Sequence, residues 1–183
     1  DFSTISNIAF VGLLIKRKHP NALVEAVLQS ELKNTTIFIV GDGDEANTIS
    51  QTIQKYKNLD PSIKFVGRVA RDVVQNYLRS SEIFVMISEN ETFGLVYLEA
   101  MAAGCITVAS RNEGMDGIIQ DGINGFLCEA GNVEELVSIL NRVNQMSEIK
   151  RKQISDNAIL TARRLTDTNV AKQYIDDVLN LVL

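Results

Sequence analysis

The sequence predicts an α/β protein, a doubly wound parallel sheet of about six strands with helices on both faces. Three observations predict it. Short, β-rich apolar runs alternate with helical patterns along most of the 183 residues, the pattern of parallel strands buried on both faces. Glycine turns, Gly41-Asp42-Gly43-Asp44 and Asp121-Gly122-Ile123-Asn124-Gly125, punctuate the alternation. The composition, 45% apolar and 22% charged, is that of an ordinary globule, and the length suits one domain with a sizeable core.

The first strand is expected over 8–11. A basic loop, Lys16-Arg17-Lys18-His19, follows it. Pro20 then opens a helix over 20–32, because its fixed φ and missing N–H suit a first turn. A second strand over 36–40 leads through the Gly-Asp turn to a helix over 46–57. The third strand, 63–66, precedes a helix over 71–79. The fourth, 83–87, is wholly apolar and leads to a helix over 94–103, with Leu95, Leu98 and Ala102 on one face and Gly104 as its stop. A fifth strand over 106–109, a helix over 115–120, a sixth strand over 125–128 and a helix over 133–146 complete the alternation. Two further helical patterns fill 147–183, breaking near 165–167. The last places Val170, Tyr174, Val178, Leu181 and Val182 along one face. There is no internal repeat and no low-complexity tract.

Several function classes fall away. A net charge of −5 argues against a dedicated nucleic-acid binder. Cys105 and Cys128 are far apart, in apolar context and without metal-ligand spacing, so they read as core thiols. One histidine, His19, cannot make a His-rich metal site, and no metal is expected. No apolar run approaches the roughly 20 residues that span a bilayer. No signal peptide opens the chain, which begins with Asp1 rather than Met, as a piece cut from a longer protein would.

The chemistry concentrates in Ser88-Glu89-Asn90-Glu91-Thr92-Phe93-Gly94-Leu95-Val96-Tyr97-Leu98-Glu99-Ala100-Met101-Ala102-Ala103-Gly104. Two carboxylates, Glu91 and Glu99, flank a strand-to-helix turn. A helix N-terminus offers free N–H groups and partial positive charge, which suits a phosphate. Ionised carboxylates accept strong hydrogen bonds from sugar hydroxyls. Phosphate at the amides with hydroxyls at the acids describes a nucleotide sugar. Two spaced acids alone carry little weight; the whole string carries much.

That string resembles the E-x7-E motif of retaining glycosyltransferases of the GT-B fold, in particular family 4. The resemblance runs from about Ile8 to the C-terminus and matches only the C-terminal, donor-binding half of such an enzyme, a Rossmann-like domain. It implies that Glu91 holds hydroxyls of the donor sugar and Glu99 those of the ribose. Backbone N–H groups at Phe93, Gly94 and Leu95 would face the sugar and diphosphate, Gly94 lacking a Cβ so that ligand can approach. In the family the loop after the first strand reads Gly-Arg-Leu, then Lys-Gly, and its Arg and Lys clamp the diphosphate. Gly12 and Lys18 match. Leu13 stands at the arginine position and His19 at the glycine. Lys18 and Glu91 are thus the expected catalytic pair. Phe65-Val66-Gly67-Arg68-Val69 resembles the segment that recognises the base, with Arg68 and Val69 lining its pocket. In Glu113-Gly114-Met115-Asp116-Gly117 the family often has two glycines, two variable residues and a glutamate. Gly114 remains, near the nucleotide, while Glu113 and Gly117 replace the first glycine and the glutamate.

The expected activity is transfer of a hexose from a nucleotide diphosphate sugar to a carbohydrate or lipid-linked acceptor, with retention and without a metal or cofactor. The acceptor would bind an N-terminal domain on which the C-terminal helices over 147–183 pack back. The expected setting is cytoplasmic, at most peripheral to the inner face of a membrane, with polysaccharide assembly as the pathway class. The alternative is a non-catalytic nucleotide-sugar-binding remnant of the same fold, because Leu13 replaces the arginine. Glycogen and sucrose synthases share the motif; an epimerase does not fit it. Gly41-Asp42-Gly43-Asp44-Glu45-Ala46 matches Gly-x-Gly-x-x-Ala. However, it follows the second strand, three acids would repel a pyrophosphate, and no acid ends the next strand, so a dehydrogenase is disfavoured. A receiver domain would need an aspartate where Phe65, Val66 and Gly67 stand.

Overall fold

The computed structural model describes residues 2–56, 60–92 and 94–165. In chain order the elements are β1 (Asn7–Val11), α1 (Pro20–Gln29), β2 (Thr36–Val40), α2 (Ala46–Tyr56), β3 (Ser62–Gly67), α3 (Arg71–Arg79) and β4 (Ile83–Val85). Then come α4 (Leu95–Ala103), β5 (Ile106–Ser110), β6 (Phe126–Cys128), α5 (Val133–Gln145) and α6 (Glu148–Arg164). The six strands form one sheet in the order β3-β2-β1-β4-β5-β6, and every pairing is parallel. This is the expected Rossmann-like, doubly wound α/β fold. The order reverses between β1 and β4, and ligands of such sheets bind outside the strand C-termini at that reversal.

The core follows from the apolar runs. Ile8, Ala9 and Phe10 of β1, all of β4 and Ile106 to Ala109 are buried at the sheet centre. β3, at the edge, is largely uncovered. Pro20 stands in the first turn of α1, as expected. That helix ends at Gln29 rather than 32, because the Ser30 hydroxyl bonds back to the Val27 carbonyl while Leu32 is buried beyond the helix end. Strand β4 is shorter than its apolar run. The N–H of Met86 still donates to Val108 O, but the carbonyl of Ile87 already turns to Gly131 N.

Two expectations fail. Residues 115–120 are no helix: Gly117 takes φ +88, Asp116 and Ile119 form an isolated bridge, and the Asp116 carboxylate bends back to the N–H of Asn112 at 2.6 Å. In α4 the buried face is Tyr97, Ala100 and Met101, not Leu95, Leu98 and Ala102; Leu95 is 64% exposed. Tyr97 sets the helix rotation. Its ring stands edge-on to Phe84, and its hydroxyl donates to Met86 O at 2.8 Å beside the Ser88 hydroxyl.

The first helical pattern after Met146 is α6. It closes on α4 through the Ser155 hydroxyl, 2.6 Å from Gly104 O. Its Arg151 is buried and donates to the carbonyls of Phe2, Ser3, Val143 and Asn144. The second pattern, 170–182, lies outside the described residues.

Candidate functional site

Two loops meet at the sheet reversal, one leaving β1 and one leaving β4. The β1 loop tightens into a 3-10 turn at Lys16–Lys18 and ends on His19 in the left-handed region, φ 48. Only glycine takes that conformation freely, so a histidine where the family has glycine keeps the backbone shape at some strain. The His19 ring compensates: its Nε2 lies 3.0 Å from Glu89 Oε1, and it rests against Gly131, where a Cβ would collide with it.

The loops are stitched together. The Glu89 N–H donates to Arg17 O at 2.6 Å, and the Arg17 guanidinium donates to the carbonyls of Glu89 and Asn90. This brings Lys18 Nζ to 3.3 Å from Glu91 Oε2, both side chains being largely buried. Arg17 stands 4.0 Å from the same oxygen. Of the three cations in this loop, Arg17 and Lys18 therefore turn to the acid. Glu91 Oε2 is buried, and no donor is aligned on it as a hydrogen bond; Lys18 is an ion-pair partner only. A buried carboxylate oxygen without a donor is a costly arrangement that an arriving hydroxyl relieves.

Gly94 caps α4 at φ +61, with no side chain capping the helix N-terminus. A Cβ here would strike the Tyr97 ring and touch Glu91 Cγ. The glycine is thus required by the turn and by Tyr97, beyond any approach of ligand. Leu95 follows as the first helical residue. Phe93 lies outside the described residues. Gly114 backs the same loop, its N–H donating to Glu91 O at 2.8 Å.

A cavity of about 620 Å³ opens beside this cluster. Gly12, Leu13, Gly41, Asp42, Arg68 and Val69 are among its lining residues. Gly12 joins the two regions, since a Cβ there would meet the Lys18 side chain. Leu13 is 60% exposed at the cavity, an apolar side chain where the resemblance has an arginine. The Gly41–Gly43 turn, set aside as a dinucleotide motif, lines the wall. Its glycines are needed because a Cβ on Gly41 would strike the Gly12 carbonyl and one on Gly43 the backbone of Leu14.

Glu99 has a different partner. Its Oε1 takes a hydrogen bond from Arg71 of α3 at 2.5 Å. The structure thus brings Gly12, Lys18, Glu91, Gly94 and Gly114 together and lines the adjoining cavity with Arg68 and Val69. It shows Glu99 engaged by an arginine that sequence reasoning passed over. Sequence reasoning also passed over Tyr97, whose pKa is pushed up by burial. Its signal was present as a polar-tipped aromatic in an otherwise apolar helix start. Both cysteines are buried thiols, as expected, with burial pushing each up to about 12. Among the described residues no cluster of three or more metal-ligating side chains occurs, and no helix is long and apolar enough to cross a membrane.

Residues 6–161 match the model of the family described as glycosyl transferases group 1. The chain is similar to N-acetyl-alpha-D-glucosaminyl L-malate synthase of Bacillus anthracis, 38% identical over 114 residues, 60% of this chain and 29% of that protein. It is similar to UDP-Gal:alpha-D-GlcNAc-diphosphoundecaprenol alpha-1,3-galactosyltransferase of Escherichia coli, 29% identical over 93% of this chain and 45% of that one. Among solved structures, Anabaena HepE in complex with UDP and glucose superposes with a TM-score of 0.80 at 27% identity, over 97% of this chain and 48% of that one. The chain spans less than half the length of these proteins. With the fold of a GT-B C-terminal domain and a match across most of its length, it belongs to the glycosyl transferases group 1 family.

Proposed function

We propose that this chain is the donor-binding domain of a retaining hexosyltransferase that uses a nucleotide diphosphate sugar. The observation that carries the reading is the Lys18–Glu91 pair at the sheet reversal, with an unbonded, buried Glu91 oxygen beside a cavity of nucleotide size. Lys18 and the uncapped amides of α4 stabilise the departing diphosphate. Glu91 accepts a hydroxyl of the sugar, and Glu99, released from Arg71, accepts those of the ribose. Arg68 and Val69 border the base. The leaving phosphate assists deprotonation of the acceptor, so no metal, cofactor or separate enzymic base is invoked. The HepE complexes with UDP and with UDP-glucose support a nucleotide-sugar donor.

The acceptor, a carbohydrate or a lipid-linked glycan, would be held by an N-terminal domain, and transfer needs both reactants held together. Work on the cytoplasmic face of a membrane, in polysaccharide assembly, fits such an acceptor. A second reading, a non-catalytic donor-binding remnant, is favoured by one observation: exposed Leu13 leaves the cavity without the family's arginine.

The test is thermal stability of the protein against UDP, GDP and ADP and their sugar conjugates, with Glu99→Ala alongside. A ligand at about 100 times its Kd stabilises by about 2.7 kcal/mol. Selective stabilisation by one nucleotide, weakened in Glu99→Ala, is expected. Donor binding without transfer by the full-length protein, restored by Leu13→Arg, would favour the remnant.

A further inference from the structure

The Glu91 loop is held by a residue outside the resemblance. Glu113 stands where the family often has glycine, 22 residues from Glu91. Its carboxylate takes two backbone hydrogen bonds, from Asn90 N–H to Oε1 at 3.0 Å and from Glu91 N–H to Oε2 at 2.8 Å. The next residue completes the clip, Gly114 N–H donating to Glu91 O. Two consecutive residues of the β5 loop therefore fix the main chain on both sides of the Glu91 peptide.

The loop needs holding. Asn90 sits in the left-handed region at φ 52, and the successive N–H groups of Asn90 and Glu91 both point at one carboxylate, each at its own oxygen, in a concavity that attracts an anion. Glu113 fills that concavity from within the chain. Its own loop is pinned in turn, by the Asp116 carboxylate on Asn112 N–H and by Asp116 N–H on Glu113 O. Glu113 carries no contact to Lys18 or to the cavity lining among the hydrogen bonds and ion pairs of the described residues. It acts through Glu91.

We propose that Glu113 is a positioning residue that fixes the Glu91 carboxylate for the sugar of the donor, and that its effect is on sugar recognition rather than nucleotide binding. This rests on the donor-site reading above. With the loop fixed before ligand arrives, the buried Glu91 oxygen is already placed for a sugar hydroxyl. Without the clip, Asn90 relaxes from its left-handed conformation and the carboxylate loses its direction. A misplacement of this kind near the reacting groups lowers rates steeply. The nucleoside part of the donor, bordered by Gly12, Arg68 and Val69 away from the Glu91 loop, keeps its contacts.

The experiment uses the full-length protein with Glu113→Ala and Glu113→Gln, and UDP and UDP-glucose as probes. Expected in Glu113→Ala is a loss of about tenfold or more in affinity for UDP-glucose, with UDP affinity held within about twofold. Glu113→Gln, which keeps one acceptor oxygen, should fall between. Amide exchange supplies a readout that needs no ligand: the Asn90 and Glu91 N–H groups should lose protection in Glu113→Ala. Equal losses for UDP and UDP-glucose would overturn the proposal, since a general loosening of the domain does that. Unchanged protection of both amides would overturn it as well. If the wild type binds neither probe, the uridine donor reading fails by itself, and loss of amide protection still supports the clip.

Discussion

Two largely buried charges in this molecule have opposite surroundings. The Arg151 guanidinium, on α6, is aligned on the carbonyls of Phe2, Ser3, Val143 and Asn144. Glu91, at the sheet reversal, has a buried oxygen with no aligned donor and an ammonium 3.3 Å away. Arg151 is fully engaged by the fold and ties the start of the chain to α5 and α6. Glu91 is held by its main chain, while its buried Oε2 has ion-pair partners, Lys18 and Arg17, but no aligned hydrogen bond. Both groups are charged and largely withdrawn from solvent. On the donor-site reading, what separates the two charges is whether the fold itself completes their hydrogen bonds.

The sharpest way to break that contrast is to remove each charge. Glu91→Gln should lower transfer by at least about 100-fold in kcat/KM. The neutral amide also leaves the largely buried Lys18 ammonium without its counter-charge, so Tm should fall too, but less than in Arg151→Ala. Arg151→Ala should do the reverse. It orphans buried carbonyls at about 1–3 kcal/mol each before relaxation, so a net loss of about 3 kcal/mol in urea unfolding is expected, with donor affinity unchanged. A large stability loss in Glu91→Gln, or a donor defect in Arg151→Ala, would erase the distinction.

A third buried group sharpens it from the neutral side. The Cys105 thiol donates to the carbonyls of Leu78 and Ser81 and is pushed up to about 12 by burial. The folded state keeps its proton where the unfolded chain loses it. Stability is therefore intact below the unfolded value near 8.5 and falls above it, by up to about 1.4 kcal/mol per pH unit. Unfolding measured from pH 8 to 10 should show this decline, reduced in Cys105→Ala relative to that variant's own stability at pH 7. The smallest expected effect is Leu13→Arg. A guanidinium at the cavity should tighten UDP by about tenfold, as one charge-assisted hydrogen bond does, read by calorimetry. No gain would mean that Arg17 and Lys18 already suffice.

The strand–turn–helix string around Glu91 was legible because a wholly apolar run, two acids and a glycine stop leave a linear trace. Lys18 was legible through resemblance. The direction of Arg17 was not, because a loop side chain takes its aim from a partner 72 residues away. Nor was the Glu113 clip, since carboxylate-to-amide bonds between distant loops leave no periodicity. The inward face of α4 was misread because Leu95, Leu98 and Ala102 fall along one helical face, whereas the Tyr97 ring and hydroxyl decided the rotation. Residues 115–120 were misread because Met115, Ile118 and Ile119 have helical spacing, which Gly117 overrides at φ +88.

The stitching of Arg17 to Glu89 and Asn90 also bears on how this domain can be recombined. One bond joins main chain to main chain and two run from the Arg17 guanidinium to main-chain carbonyls, so the seam depends on the path of both loops and on an arginine at position 17. A chimera that imports the β1 loop from a relative with a different path, while keeping the β4 loop, would lose the seam and with it the approach of Lys18 to Glu91. The two loops form one exchangeable cassette, though they lie far apart in sequence. Attempts to swap donor preference between relatives should cut at both places or at neither.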